Sequence, residues 1–236
     1  MKNKATIRKV YTLVKGYRTA ICSVYPEVCP YCLKRIRPLE TACFRCAEKF
    51  PEIRFDRRAH GGFPVSCAFP YIEPYDEAIK NFKFHKYKQF APQLGAKLAE
   101  SVKGSFKGVS FDYITYVPLH PEREKERGYN QSKLIAREIS YILEIPLKST
   151  LVKIKNNPPQ HETDRKHKAE NVKNVYTVCD KKLIEGKRIL LVDDIITTGH
   201  TLGECGRMLK LAGASEIFCC TFATAVEKRL EMKRNL

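Results

Sequence analysis

The thirteen residues from Ile189 to Thr201, ILLVDDIITTGHT, limit what this 236-residue chain can fold into more than any other stretch. Ile189, Leu190, Leu191 and Val192 form an apolar run without polar alternation, the pattern of a parallel strand covered on both faces. Open α/β sheets gather their ligands at the carboxyl ends of such strands, and Asp193 and Asp194 fall at that end. Consecutive strand residues point to opposite sides, so one carboxylate can face a ligand while the other turns toward the sheet edge or loop. An ionised carboxylate only accepts hydrogen bonds, which suits the pair to vicinal hydroxyls. Thr197, Thr198, Gly199, His200 and Thr201 then bring hydroxyls, a glycine free to take positive φ, and a run of backbone NH groups ahead of a helix expected from Leu202 to Leu211. The positive end of that helix favours an anion. Two adjacent hydroxyls close to a monophosphate describe a ribose 5-phosphate. A Walker-type nucleotide site is excluded, because no GxxxxGK[ST] loop occurs in the chain.

ILLVDDIITTGHT resembles the PRPP-binding motif of type I phosphoribosyltransferases, where PRPP is 5-phosphoribosyl 1-pyrophosphate. The resemblance implies that Asp193 and Asp194 hold the ribose 2- and 3-hydroxyls and that Thr197, Thr198, Gly199 and Thr201 bind the 5-phosphate, with Ile195 and His200 counted among the PRPP-binding residues. His200 stands where a small residue is more usual. Without the resemblance, the same residues also read as a buried strand ending in a solvated turn, with acids there by chance or as metal ligands.

Charge and cysteines bound the remainder. Forty-three Lys and Arg against 26 Asp and Glu leave +17, which favours polyanionic partners: nucleic acid, anionic membrane or phosphorylated small molecules. Ten cysteines are too sparse for a secreted disulfide scaffold, and four fall in CxxC spacing. CPYC at Cys29 and Cys32 and CFRC at Cys43 and Cys46 can close a tetrahedral four-thiolate shell around a structural Zn²⁺. Cys22, Cys67, Cys179, Cys205, Cys219 and Cys220 lack ligand spacing and read as small buried hydrophobes. No apolar signal core and no run long enough to span a membrane is present, so the expectation is a cytoplasmic protein.

Along the chain, Ile7, Val10, Tyr11, Val14, Tyr17 and Ile21 recur at helical spacing, a basic amphipathic helix suited to packing on its own protein or to lying on the inner face of an anionic membrane. The expected division is an N-terminal helix (1–25), a four-cysteine module (26–50), a linker (51–64), an α/β domain (65–226) and a charged tail (227–236). Strands are expected at Val65–Tyr71, Tyr113–Leu119, Leu151–Ile154 and Ile217–Phe222, with a helix at Ser132–Leu143. The strip IKNFKFHKYKQF reads two ways. Lys80, Lys83, Lys86 and Lys88 with Phe82, Phe84, Tyr87 and Phe90 between them can hold single-stranded nucleic acid, or Ile79, Phe82 and Phe90 face a core while lysines face water. Arg123 and Arg127, after a strand-ending turn at Pro118, suit a pyrophosphate because guanidinium forks match phosphate oxygens. Residues 155–171 are polar, with Arg165 and Lys168 among crowded basic charge, and read as a disordered loop or as a lid over a charged substrate.

The order of zinc knuckles, VPLHPxRxxxRGYNQS, Qx10N and VDDIITTGHT resembles the ComF competence family, whose members pair a small zinc module with a phosphoribosyltransferase domain. The resemblance implies that Pro118, Arg123, Arg127, Asn130 and Gln131 form the pyrophosphate-side block and that Gln160 and Asn171 form a second block. Lys168 and Thr163 depart from the family's usual Arg and Leu. It also implies a link to natural transformation, to the DNA-uptake machinery and to single-stranded DNA. Two functional expectations stand together. One is Mg²⁺-dependent phosphoribosyl transfer from PRPP, with Asp193, Asp194, Arg123 and Arg127 as catalytic residues and an unidentified acceptor. The other is an inactive member of the fold that binds single-stranded DNA and uses PRPP as ligand or signal.

Overall fold

Alternate residues of the apolar strand enter different cores. In β6 (Arg188–Ile196), Ile189 and Leu191 enter one and Leu190 and Val192 the other. Flanking strands repeat this: Tyr113 and Ile114 divide in β3 (Tyr113–Tyr116), Cys219 and Cys220 in β7 (Glu216–Thr224). A strand buried on both faces needs layers on both sides, and the computed structural model, which describes residues 4–22, 24–51, 55–85, 87–155 and 174–225, supplies them.

With β1 (Arg57–Arg58) and β2 (Pro64–Pro70), the sheet runs β1-β2-β7-β6-β3. Only β1, at the edge, is antiparallel. One face carries α3 (Tyr75–Phe84), α4 (Ala91–Ser105) and α6 (Gln131–Leu143). The other carries α7 (His200–Leu211) and a small antiparallel sheet of β4 (Leu151–Lys153) and β5 (Tyr176–Val178). This is the expected mostly parallel α/β architecture. Residues 51–64 are no free tether where described: β1 pairs with β2, and Arg57 donates to Thr224 Oγ1 at 2.9 Å.

Helix α1 (Lys4–Ile21) packs on α6, with Tyr11 stacked on Tyr141 at 5.6 Å between centroids. Ile7 is buried, Val10, Tyr11, Val14 and Ile21 are half-buried, and Tyr17 is exposed, so part of the expected apolar face remains in solvent. No described helix is long and apolar enough to cross a membrane.

The cysteine module, which contains the short helix α2 (Phe44–Ala47), is stapled to the domain by aromatic residues. Tyr31 lies buried against Phe69, Tyr75 and Phe222, Phe50 sits 5.0 Å from the Phe69 ring, and Tyr75 donates its hydroxyl hydrogen to Lys49 O at 2.9 Å. Glu27 adds a polar tie, accepting from Arg18 and from Gln93 Nε2. The Tyr31 hydroxyl is buried without a hydrogen-bond partner, so ring and hydroxyl contribute with opposite sign. Truncating the ring in Tyr31→Ala should cost about 3–5 kcal/mol in urea unfolding. Tyr31→Phe should be neutral or stabilising, because it removes a desolvated polar group.

Candidate sugar-phosphate site

β3 stops at Tyr116, opposite Val192, while β6 continues against β7 to Ile196. The strand expected to reach Leu119 therefore ends early, and the flank of β6 beyond Val192 opens to side chains from α6 and α3. Ser132 Oγ, in the first turn of α6, donates to Asp193 Oδ1 at 2.8 Å, and the Asp194 NH donates to the same oxygen at 2.9 Å. Asp194 is only 7% exposed. Its Oδ2 lies 2.9 Å from Lys83 Nζ, near the end of α3. Burial, and then the Asp194 charge, push the Asp193 carboxyl up to about 7, against the lowering effects of Ser132 and Lys83. Asp194 is paired with Lys83 inside the protein, while Asp193 is part-buried, hydrogen-bonded by Ser132 and the Asp194 NH, and within reach of the Lys83 charge.

The loop after the acids is held from below. Gly199 takes φ 79°, and a Cβ there would lie 3.0 Å from Ala59 Cα and 3.1 Å from His60 N. His60 N donates to Gly199 O at 3.3 Å. A Cβ at Gly203, one turn along, would meet His60 O at 2.5 Å. The segment expected as linker is thus the wall against which this loop rests. Thr197 and Thr198 are exposed at the turn, and α7 begins at His200 rather than Leu202, with Thr201 in its first turn. His200 Nδ1 lies 2.8 Å from Thr198 Oγ1, and its ring stacks on His60 at 5.0 Å. Burial and the neighbouring His60 lower its pKa. Ile195 is half-buried and packs against the core beneath the acids.

Helix α5 (Pro121–Arg127), entered through buried Pro118, carries the two arginines. Arg123 lies 3.6 Å from Glu126, and Arg127 donates to Gln131 Oε1 at 3.2 Å. Gln131 Nε2 is buried without a hydrogen-bond partner, which leaves a donor for an acceptor the chain does not supply. Asn130 is committed to the scaffold: its side chain caps α6 by accepting from Lys133 N and donates to Val117 O at 3.1 Å. Lys153 enters from β4, its ammonium 5.9 Å from the Tyr176 ring centre. Burial lowers its pKa; the charges of Arg123 and Arg127 add to that and Asp193 opposes it. β4, α5 and β6 therefore bring their charges within one another's reach.

Sequence reasoning missed Ser132, Lys153 and the inward turn of Lys83. Ser132 follows Gln131 in the RGYNQS block and was within reach; Lys153 sits in a three-residue strand with no local signal. The IKNFKFHKYKQF strip takes its core-helix form, with Ile79, Phe82 and Phe90 buried. Lys80 makes a surface ion pair with Asp76 and Glu77, at 3.0 and 2.7 Å, whereas Lys83 makes a covered one with Asp194. Phe84 is 61% exposed, and Lys88 lies over the Tyr129 ring at 5.3 Å. Lys86, Gln160, Thr163, Arg165, Lys168 and Asn171 lie outside the described residues.

The four ligand sulfurs of Cys29, Cys32, Cys43 and Cys46 lie within 4.8 Å of one another. A tetrahedral Zn²⁺ with Zn–S near 2.3 Å sets its sulfurs about 3.8 Å apart, so the cluster fits such an ion with small adjustments. Cys67, Cys205, Cys219 and Cys220 are buried as expected, but Cys22 is half-buried and Cys179 exposed.

Comparison with known proteins agrees with this geometry. Residues 130–235 match the phosphoribosyl transferase domain family. Competence protein F of Haemophilus influenzae is 30% identical over 80% of this chain and 81% of its own. DNA utilization protein YhgH of Salmonella typhimurium is 25% identical over 84% and 87%. Competence protein ComFC of Bacillus subtilis is 25% identical over 81% and 75%. The likeness to competence protein F spans four-fifths of both chains at 30% identity, and on that ground the chain belongs to the ComF family of competence proteins.

Proposed function

We propose that the chain binds PRPP at the carboxyl end of β6 and acts in the handling of incoming single-stranded DNA. The reading is carried by one observation: a part-buried acid, Asp193, adjoins a hydroxyl-rich loop that runs into the N-terminus of α7. The ribose hydroxyls would donate to Asp193, beside Asp194. The 5-phosphate would take the NH groups and hydroxyls of residues 197–201, where the helix dipole favours an anion. Arg123, Arg127 and the free Gln131 donor lie on the side suited to pyrophosphate. Transfer to an acceptor would then rest on positioning and on charge stabilisation as pyrophosphate departs.

Mg²⁺ would supply further neutralisation of the pyrophosphate. Among the described residues the only cluster of three or more His, Cys, Asp or Glu side chains is the four-cysteine one, so the acids build no all-protein cage. That fits an ion carried mainly on phosphate oxygens. The cysteine module would hold Zn²⁺ as a structural ion. The net charge of +17, with relatives named for competence and DNA utilization, favours a second activity on single-stranded DNA.

Titration of the protein with PRPP and Mg²⁺ should show binding, and Asp193→Asn should weaken it about ten-fold or more, the scale of a charge-assisted hydrogen bond; unchanged affinity would sink the reading. Pyrophosphate release in the presence of acceptors separates an enzyme from a binding protein. Single-stranded DNA affinity should fall steeply with salt.

A pH dependence follows from Asp193. Its folded pKa of about 7 lies above the ordinary 3.8, so between those values the folded chain holds a proton that the unfolded chain has lost. The unliganded protein should therefore lose stability from this group as pH rises from about 4 to about 7, while PRPP affinity rises over the upper part of that window as the carboxylate forms. In Asp193→Asn both slopes should flatten, as read by thermal melts and calorimetry. Zinc has its own readout: roughly one equivalent per chain after purification, and loss of the module's structure on chelation.

A further inference from the structure

Lys83 lies outside all four sequence blocks that carry the resemblance, on a helix the sequence offers either to a core or to nucleic acid. Its ammonium is 2.9 Å from Asp194 Oδ2, with side-chain exposures of 18% and 10%. Exposed pairs of this kind contribute little, but breaking one side of a covered pair leaves an uncompensated charge. The end of α3 is also fixed in place. Phe82 is fully buried, the Tyr129 hydroxyl is hydrogen-bonded to the Phe82 carbonyl, and the Arg127 guanidinium sits 6.0 Å from the Phe84 ring centre. Lys83 is therefore delivered to the acid pair by a packed helix end, while Lys153, on another element, lies within reach of the charges of Asp193, Arg123 and Arg127.

We propose that Lys83 is the built-in counter-cation of the acid pair: it orients Asp194, halves the pair's negative charge, leaves Asp193 to meet sugar hydroxyls, and keeps a divalent cation from settling on the bare acids. The sugar part rests on the PRPP reading above; the exclusion of a divalent cation rests on the ion pair alone. Lys83 is a positioning residue, acting through Asp194.

The test uses the full chain and two probes, each added alone: Mn²⁺ followed by electron paramagnetic resonance, and ribose 5-phosphate followed by calorimetry across pH. The cysteine cluster is a constant background in every variant, and Lys107→Met, at an exposed position, controls for charge removal. Lys83→Met should bind Mn²⁺ about ten-fold more tightly and ribose 5-phosphate about ten-fold more weakly, the consequence of freeing a covered carboxylate. The pH midpoint for the sugar phosphate should move upward, since a nearby cation no longer holds protons off the acids. Lys83→Arg should restore both, and Lys83→Met with Asp194→Asn should lose the extra Mn²⁺ affinity. Wild-type Mn²⁺ affinity in Lys83→Met overturns the proposal. If the wild type ignores ribose 5-phosphate while Lys83→Met still gains Mn²⁺, the PRPP reading fails and the counter-cation role stands. If Lys83→Met does not fold, recovery of folding in the double variant supports the role, and continued failure overturns it.

Discussion

Two carboxylates on consecutive residues at a covered strand end repel each other and lose water together, and the rest of the site is arranged around that cost. Asp194 has a lysine against it, and Asp193 has a serine hydroxyl and a backbone NH. Those partners reach the acids because β3 ends one residue short of them, which uncovers one flank of β6 while β7 continues on the other. Strand length, a matter of backbone hydrogen bonding, thereby decides which side chains tune the acids.

The loop beyond is fixed by close backbone approach. Gly199 and Gly203 admit residues 59–60 at distances that a Cβ would forbid. Arg57 ties the same segment to the end of β7. In the proposed PRPP site, a loop braced by a second piece of chain would hold its NH groups aimed before the anion arrives, with less entropy lost at binding.

Helix α3 joins the two halves of the molecule. Its first residue, Tyr75, packs among the rings that dock the cysteine module, and its penultimate residue, Lys83, meets Asp194. One ten-residue helix thus touches both the docking rings of the cysteine module and the acid pair.

Much of the plan was legible in local patterns. The run ILLV reports a strand buried on both faces because a two-residue period with no polar member leaves no face for water. The acid pair with its threonine-rich turn, and the paired CxxC knuckles, are contiguous chemistry that spacing alone reveals. What the sequence could not decide was which lysine of the basic strip turns inward. Lys80 and Lys83 look alike in a helical pattern, and only the placement of α3 against β6 gives one a surface ion pair and the other a covered one. Likewise Lys153, Ser132 and the wall formed by residues 57–60 meet the acids and their loop from distant parts of the chain, and Asn130 proves to cap a helix. The sequence by itself determined the strand, the acids, the loop and the four clustered sulfurs, because each depends on residues near one another in the chain. Tertiary structure alone decided how those acids are charged, because the field at a carboxylate comes from groups brought close by folding and not from its neighbours in sequence.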